Sequence, residues 1–181
     1  MIYLSFPLRM KTRYFFIAIV GICVSAGKCV DDVADNFPIL LDLDRSFTIN
    51  SSTATGSETL VIDLSAEKVY QDNKDRLSSI KISEIRLSAT SVPDPTVVCN
   101  YVLIEATDQG QTFAVTDTLR NVALSGLTNR VMPGTQAQLN KLGALLKNST
   151  TPLEVYYRYR FNKPATGTVL NTEFKLKLKL S

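Results

Sequence analysis

The residues that could carry chemistry are limited in type. No histidine occurs anywhere in the 181-residue sequence, which removes the commonest general base and the commonest transition-metal ligand. Ser-His-Asp and Cys-His sites are therefore excluded, and three cysteines, one of them within an apolar N-terminal run, do not supply a thiolate cage. Eight glycines form neither a phosphate loop nor a dinucleotide fingerprint. Carboxylates come in close pairs at Asp31 and Asp32, Asp42 and Asp44, and Asp72 and Asp75. Asp42 and Asp44 alternate with leucines, as the solvated side of a strand does. Asp72-Asn-Lys-Asp75 could offer oxygens to calcium, but it lacks the EF-hand spacing and reads as an Asx turn. None of these pairs has the setting of a glycan-cleaving acid and base. The sequence is read as non-enzymatic, with no cofactor and no metal site.

Cations form the sharper pattern. Lys175, Lys177 and Lys179 alternate with Phe174, Leu176, Leu178 and Leu180, and Arg158 and Arg160 alternate with Tyr157, Tyr159 and Phe161. If the two segments pair as a hairpin, Phe161 opposes Thr168, Tyr159 opposes Leu170 and Val155 opposes Phe174 on one apolar side. Glu154 then faces Lys175, and Arg158 sits diagonal to Glu173. On that reading Arg158, Arg160, Lys175, Lys177 and Lys179 are candidates for binding a glycan or other polyanion. The competing reading is that lysines on the wet face of a terminal strand only discourage edge-to-edge association.

The N-terminal segment differs in kind from the rest. It carries Arg9, Lys11, Arg13 and Lys28 without an acid, and the eleven residues 14–24 are apolar. That length suits a signal peptide and falls short of the roughly 20 residues that span a bilayer. Met10 is the better start, because it sets the basic residues directly before the apolar run. Residues 1–28 are read as the leader, and two endpoints stay open. Val24-Ser-Ala26 offers small residues for cleavage, which would leave Cys29 and Cys99 able to pair. Alternatively Cys29 is lipidated and anchors the chain to a membrane, although Lys28 departs from the bacterial lipobox. Residues 29–45 then serve as a tether and lead-in, with Asp31, Asp32 and Asp35 making it acidic. Removing the leader leaves 16 Lys and Arg against 17 Asp and Glu. Net basicity thus belongs to the leader, and no nucleic-acid partner is expected.

About 150 residues remain, enough for one domain with a real core. Strands are expected at residues 46–49, 59–64, 80–89, 96–106, 111–118, 153–161 and 168–180, with weaker strand signal to 124. A phase shift at Ser83 and Glu84 predicts a bulge. One helix is expected after Pro133-Gly134, with Thr135 and Gln138 spaced as a capping box and Leu139, Leu142, Leu145 and Leu146 as its stripe. The stripe covers the chain's own core on this reading. The expected fold is mainly β: an antiparallel two-sheet sandwich over residues 46–181, immunoglobulin-like in general architecture, with one peripheral helix in the C-terminal half.

The leader running to Cys29-Val-Asp-Asp32, the polar turn Asp72-Asn-Lys-Asp-Arg76 before a long strand, the late Leu-rich helix and the lysine-alternating last strand resemble exported envelope β-sandwich proteins of the Bacteroidota. The resemblance implies a structural or protein-docking module at the periplasm, outer membrane or cell surface, with another envelope protein as partner. It carries no functional motif with it.

Overall fold

The computed structural model describes residues 38–149 and 151–181. The leader, its two possible endpoints, the lipidation candidate Cys29 and the tether up to Phe37 lie outside the described residues.

Residues 38–181 form an antiparallel two-sheet sandwich. Nine strands run in chain order as β1 (Ile39–Thr48), β2 (Thr55–Ile62), β3 (Leu77–Ser91), β4 (Val98–Asp108), β5 (Gln111–Ala114), β6 (Leu119–Ala123), β7 (Arg130–Val131), β8 (Leu153–Phe161) and β9 (Val169–Leu180). A four-residue helix α1 (Lys68–Gln71) precedes β3, and helix α2 (Gln136–Asn148) precedes β8. The four-stranded sheet has the order β1-β9-β3-β7. The five-stranded sheet has the order β2-β8-β4-β5, with β6 also paired to β4.

Period-two alternation builds the core. Leu41 and Leu43 of β1, Ile80, Ile82, Ile85 and Leu87 of β3, and Phe174, Leu176 and Leu178 of β9 point inward from one sheet. Val102, Ile104 and Ala106 of β4 and Val155, Tyr157, Tyr159 and Phe161 of β8 meet them from the other. Each large side chain withdrawn from water contributes about 1.5–3 kcal/mol. The expected bulge is present, since the β3–β9 register shifts between Ile82 and Glu84. Without that extra residue Ile85 and Leu87 would face solvent. Cys99 is buried between the sheets, and burial pushes its thiol up to about 12, which keeps it protonated and inert.

Two expectations are corrected. The lead-in was placed at residues 29–45 and the sandwich at 46–181, but β1 begins at Ile39, so its first seven residues are already ladder. The alternation of Leu41 and Leu43 with Asp42 and Asp44 is that of a half-buried strand, and Ile39 opposes Leu178. The C-terminal hairpin is also absent. Strand β8 pairs with β2 and β4, while β9 pairs with β1 and β3 in the opposite sheet. The link between them, with Pro164 and Gly167 at φ 80°, crosses from sheet to sheet and is held by Gly167 N–H donating to Ile49 O at 2.8 Å. Facing sheets satisfy the two apolar sides as well as one ladder would. Phe47 of β1 lies 5.1 Å, centroid to centroid, from Tyr157 of β8 across the core.

Helix α2 forms where the capping box predicts it: Gln138 N–H donates to Thr135 Oγ1, and Thr135 N–H donates to Gln138 Oε1. It closes the side of the sandwich that β7 leaves open, because β7 pairs only with Arg86 and Leu87 of β3. Along the rest of that strand edge, Lys147 Nζ donates to Ser78 O and Gln136 Nε2 donates to Ile82 O at 3.0 Å. Between them Gly143 packs on Ile80 O so closely that a Cβ there would fall 2.4 Å from the oxygen. Glycine is required here for approach. Helix α2 thus covers an edge that would otherwise invite pairing. On the opposite side, Arg45 of β1 donates to Val61 O and Asp63 O at 3.3 and 3.4 Å and joins the two edge strands.

Candidate functional site

Outward-facing residues make two surfaces. On the four-stranded sheet the register sets Leu40, Lys177 and Lys81 in one row, Asp42, Lys175 and Glu84 in the next, and Asp44, Glu173 and Arg86 beyond it. Its centre is internally neutralised: Glu84 lies 2.7 Å from Arg86 and 4.0 Å from Lys175, and Glu173 lies 3.6 Å from Lys175. Lysine, acids and serine are the types depleted where proteins meet.

The five-stranded sheet presents a different surface. Tyr101 of β4 opposes Arg160 of β8 on one side and Arg120 of β6 on the other, so the register flanks one tyrosine with two arginines. Next along are Leu103 opposite Arg158, and Glu105 opposite Tyr156. Arg158 Nε lies 2.5 Å from Glu105 Oε2, and the Tyr156 hydroxyl donates to Glu154 at 2.8 Å, which raises the Tyr156 phenol above its ordinary range. Arg120 and Arg160 make no ion pair among the described residues. A shallow cleft of about 350 Å³ runs between Tyr101, Tyr156 and Arg158 against Thr55 and Ser57 of β2. On the inner face of β2, Gly56 makes room for the Tyr159 ring, since a Cβ there would fall 2.5 Å from the Tyr159 hydroxyl as that group reaches toward Glu58.

The basic residues singled out in sequence are divided by this arrangement. Arg158 and Arg160 belong to the five-stranded surface, and Lys175, Lys177 and Lys179 to the four-stranded one, with the full thickness of the core between them. No hairpin surface unites the five. Glu154 opposes Val61 rather than Lys175, and the partner of Arg158 is Glu105 rather than Glu173. Tyr101, Leu103, Glu105 and Arg120 were not foreseen. Tyr101 sits just after the β4 irregularity between Cys99 and Tyr101, inside an apolar run where the outward side is hard to identify without that register shift.

A cleft of about 470 Å³ lies at one end of the sandwich between α1 and the end of α2. Several of its polar groups are engaged with the chain: Gln71 Nε2 donates to Ser65 O, Ser65 N–H to Asp63 Oδ1, and Lys147 Nζ to Ser78 O. At the turn read as a weak calcium candidate, Asp72 instead holds Lys68 at 2.6 Å and Asn73 Nδ2 donates to Val69 O. Among the described residues, no helix is long and apolar enough to cross a membrane.

No family model matches the chain, and no curated protein sequence matches it. Solved structures from viruses are similar over much of its length. Desmodium yellow mottle tymovirus aligns at 12% identity over 80% of this chain and 83% of that chain, with a TM-score of 0.30. Turnip yellow mosaic virus aligns at 7% identity over 78% and 94%, with a TM-score of 0.30. The structure of the infectious bursal disease virus Gt strain aligns at 13% identity over 81% and 43%, with a TM-score of 0.22.

Proposed function

We propose that this chain is an exported cell-envelope protein of the Bacteroidota type that performs no catalysis and docks on another envelope protein through the outer surface of its five-stranded sheet. The observation that carries the reading is the row Arg160, Tyr101, Arg120, with Leu103 and Tyr156 beside it. Tyrosine and arginine are the residues that dominate binding energy at protein interfaces, whereas a surface meant only for water favours lysine and acids. Two arginines without an acid of their own ask for carboxylates on the partner, so the partner surface is acidic around an apolar centre. Export by the 1–28 leader, and tethering through acylated Cys29, would place the domain beside such a partner.

A photo-crosslinking residue introduced at Leu103, in the centre of this surface, tests the proposal in the cells that produce the protein. It should yield one discrete protein adduct, while the same residue at Asn171 on the other sheet should yield none. Adducts of equal yield from both positions, or from Asn171 alone, would refute it.

A further inference from the structure

We infer that the four-stranded sheet carries a separate binding site for a single oxyanion, a phosphate-type group, in the dimple between β3, β9 and α2. This dimple, of about 170 Å³, is lined by Lys81, Ile82, Ser83, Gln136, Asn140 and Lys177. Lys81 and Lys177 stand directly opposite each other on neighbouring antiparallel strands. Opposed like charges at the roughly 5 Å Cβ separation of such pairs are unfavourable. The row offers no relief, since Lys177 has Leu40 on its other side. Neither lysine makes an ion pair among the described residues, although Lys175 one row away is held between Glu84 and Glu173. A bound anion between the two ammonium groups removes the conflict.

Hydrogen-bond logic supplies a further donor. Ile82 O is an acceptor on the covered edge of β3, so the amide nitrogen of Gln136 must face it, and it does so at 3.0 Å. The same nitrogen donates to Asn140 Oδ1 at 3.0 Å, which fixes the Asn140 carboxamide with its oxygen toward Gln136. The two N–H bonds of Asn140 Nδ2 find no acceptor among the described residues, and Asn140 lines the same dimple. Two ammonium groups and an oriented amide are all donors, and no carboxylate lines the space. That is the inventory an oxyanion needs, and one that repels a metal cation.

The site lies on the opposite side of the core from the proposed docking surface, and its test is independent of that proposal. Inorganic phosphate is titrated into the full chain at constant ionic strength, with chloride as the compensating salt, and followed through the Asn140 side-chain amide resonances. Saturable shifts with a dissociation constant on the order of 1 mM are expected. K81Q and K177Q should each weaken binding about tenfold, the size of one charge-assisted hydrogen bond, and K175Q should leave it unchanged. Linear shifts that never saturate, or equal weakening by all three variants, would overturn the inference by reducing it to general screening. Co-sedimentation with phosphatidic acid vesicles, against phosphatidylcholine vesicles, identifies the source of the group. Retention lost in K81Q and K177Q assigns it to a lipid headgroup, and no retention despite saturable phosphate binding assigns it to a soluble phosphate compound.

Discussion

On the outer surface of the five-stranded sheet, Tyr101 lies between Arg160 and Arg120; on the four-stranded sheet, Lys177 lies between Leu40 and Lys81. Both rows stand on the same kind of alternating strand over one shared core. Fold therefore does not decide what the two surfaces do, and side-chain chemistry does. Tyrosine and arginine bring large contact area with little conformational freedom to lose, and they favour a macromolecular partner. Lysines are strongly hydrated and mobile, and that surface is suited to solvent, with one small-ion site where two of them are forced together.

If this division holds, stability and binding should respond to different residues. The largest effect on stability belongs to the core both surfaces rest on. F174A, at a fully buried position of β9, should lower unfolding free energy by about 3–5 kcal/mol in urea denaturation, whereas K175Q beside it should stay within about 0.5 kcal/mol. G143L should cost about 3 kcal/mol, because the new side chain meets Ile80 O and lifts α2 from the edge of β3. Light scattering should then detect more association than in wild type, through the uncovered edge. Y101A and R160A should unfold within about 0.5 kcal/mol of wild type, since an exposed surface kept for a partner contributes little to folding. A large loss of stability in either would make the Tyr and Arg row structural. The smallest effect is expected at the turn tying the crossing link to the β3–β4 connection. There the Lys163 ammonium 2.7 Å from Asp94, together with Thr96, holds the Asp94 carboxyl down to about 2. A carboxyl lowered in the folded state adds stability that is complete above its ordinary value near 3.8 and is lost as pH falls toward 2. Between pH 4 and 2 the melting temperature of D94N should fall less steeply than that of wild type.

Which side of β2, β3, β8 and β9 is buried was legible in the sequence, because period two reports it directly. Leu153 to Leu180 show the limit of that signal. Their alternation is the same whether β8 and β9 share a ladder or face each other across a core, and only the pairing of β8 with β2 and β4 decides between them. The helix was readable in full because its signals are local: Thr135 and Gln138 three apart, then the leucine stripe. Gly143 was not, since the need for it comes from Ile80 more than sixty residues away. The same contrast governs the sites. Arg158 and Arg160 were identifiable by type and spacing, but their neighbours Tyr101 and Arg120 arrive from other strands. Lys81 stood as an isolated charge until β3 and β9 set it opposite Lys177.

The most direct test of the two-surface account compares capture by three forms of the full chain from the membranes of the cells that produce it: wild type, Y101A/R160A and K177Q/K179Q. The account predicts one acidic-surfaced protein recovered equally by wild type and K177Q/K179Q, and recovered at least about tenfold less by Y101A/R160A, as loss of two central contacts requires. Undiminished recovery by Y101A/R160A, or its loss in K177Q/K179Q, would contradict it.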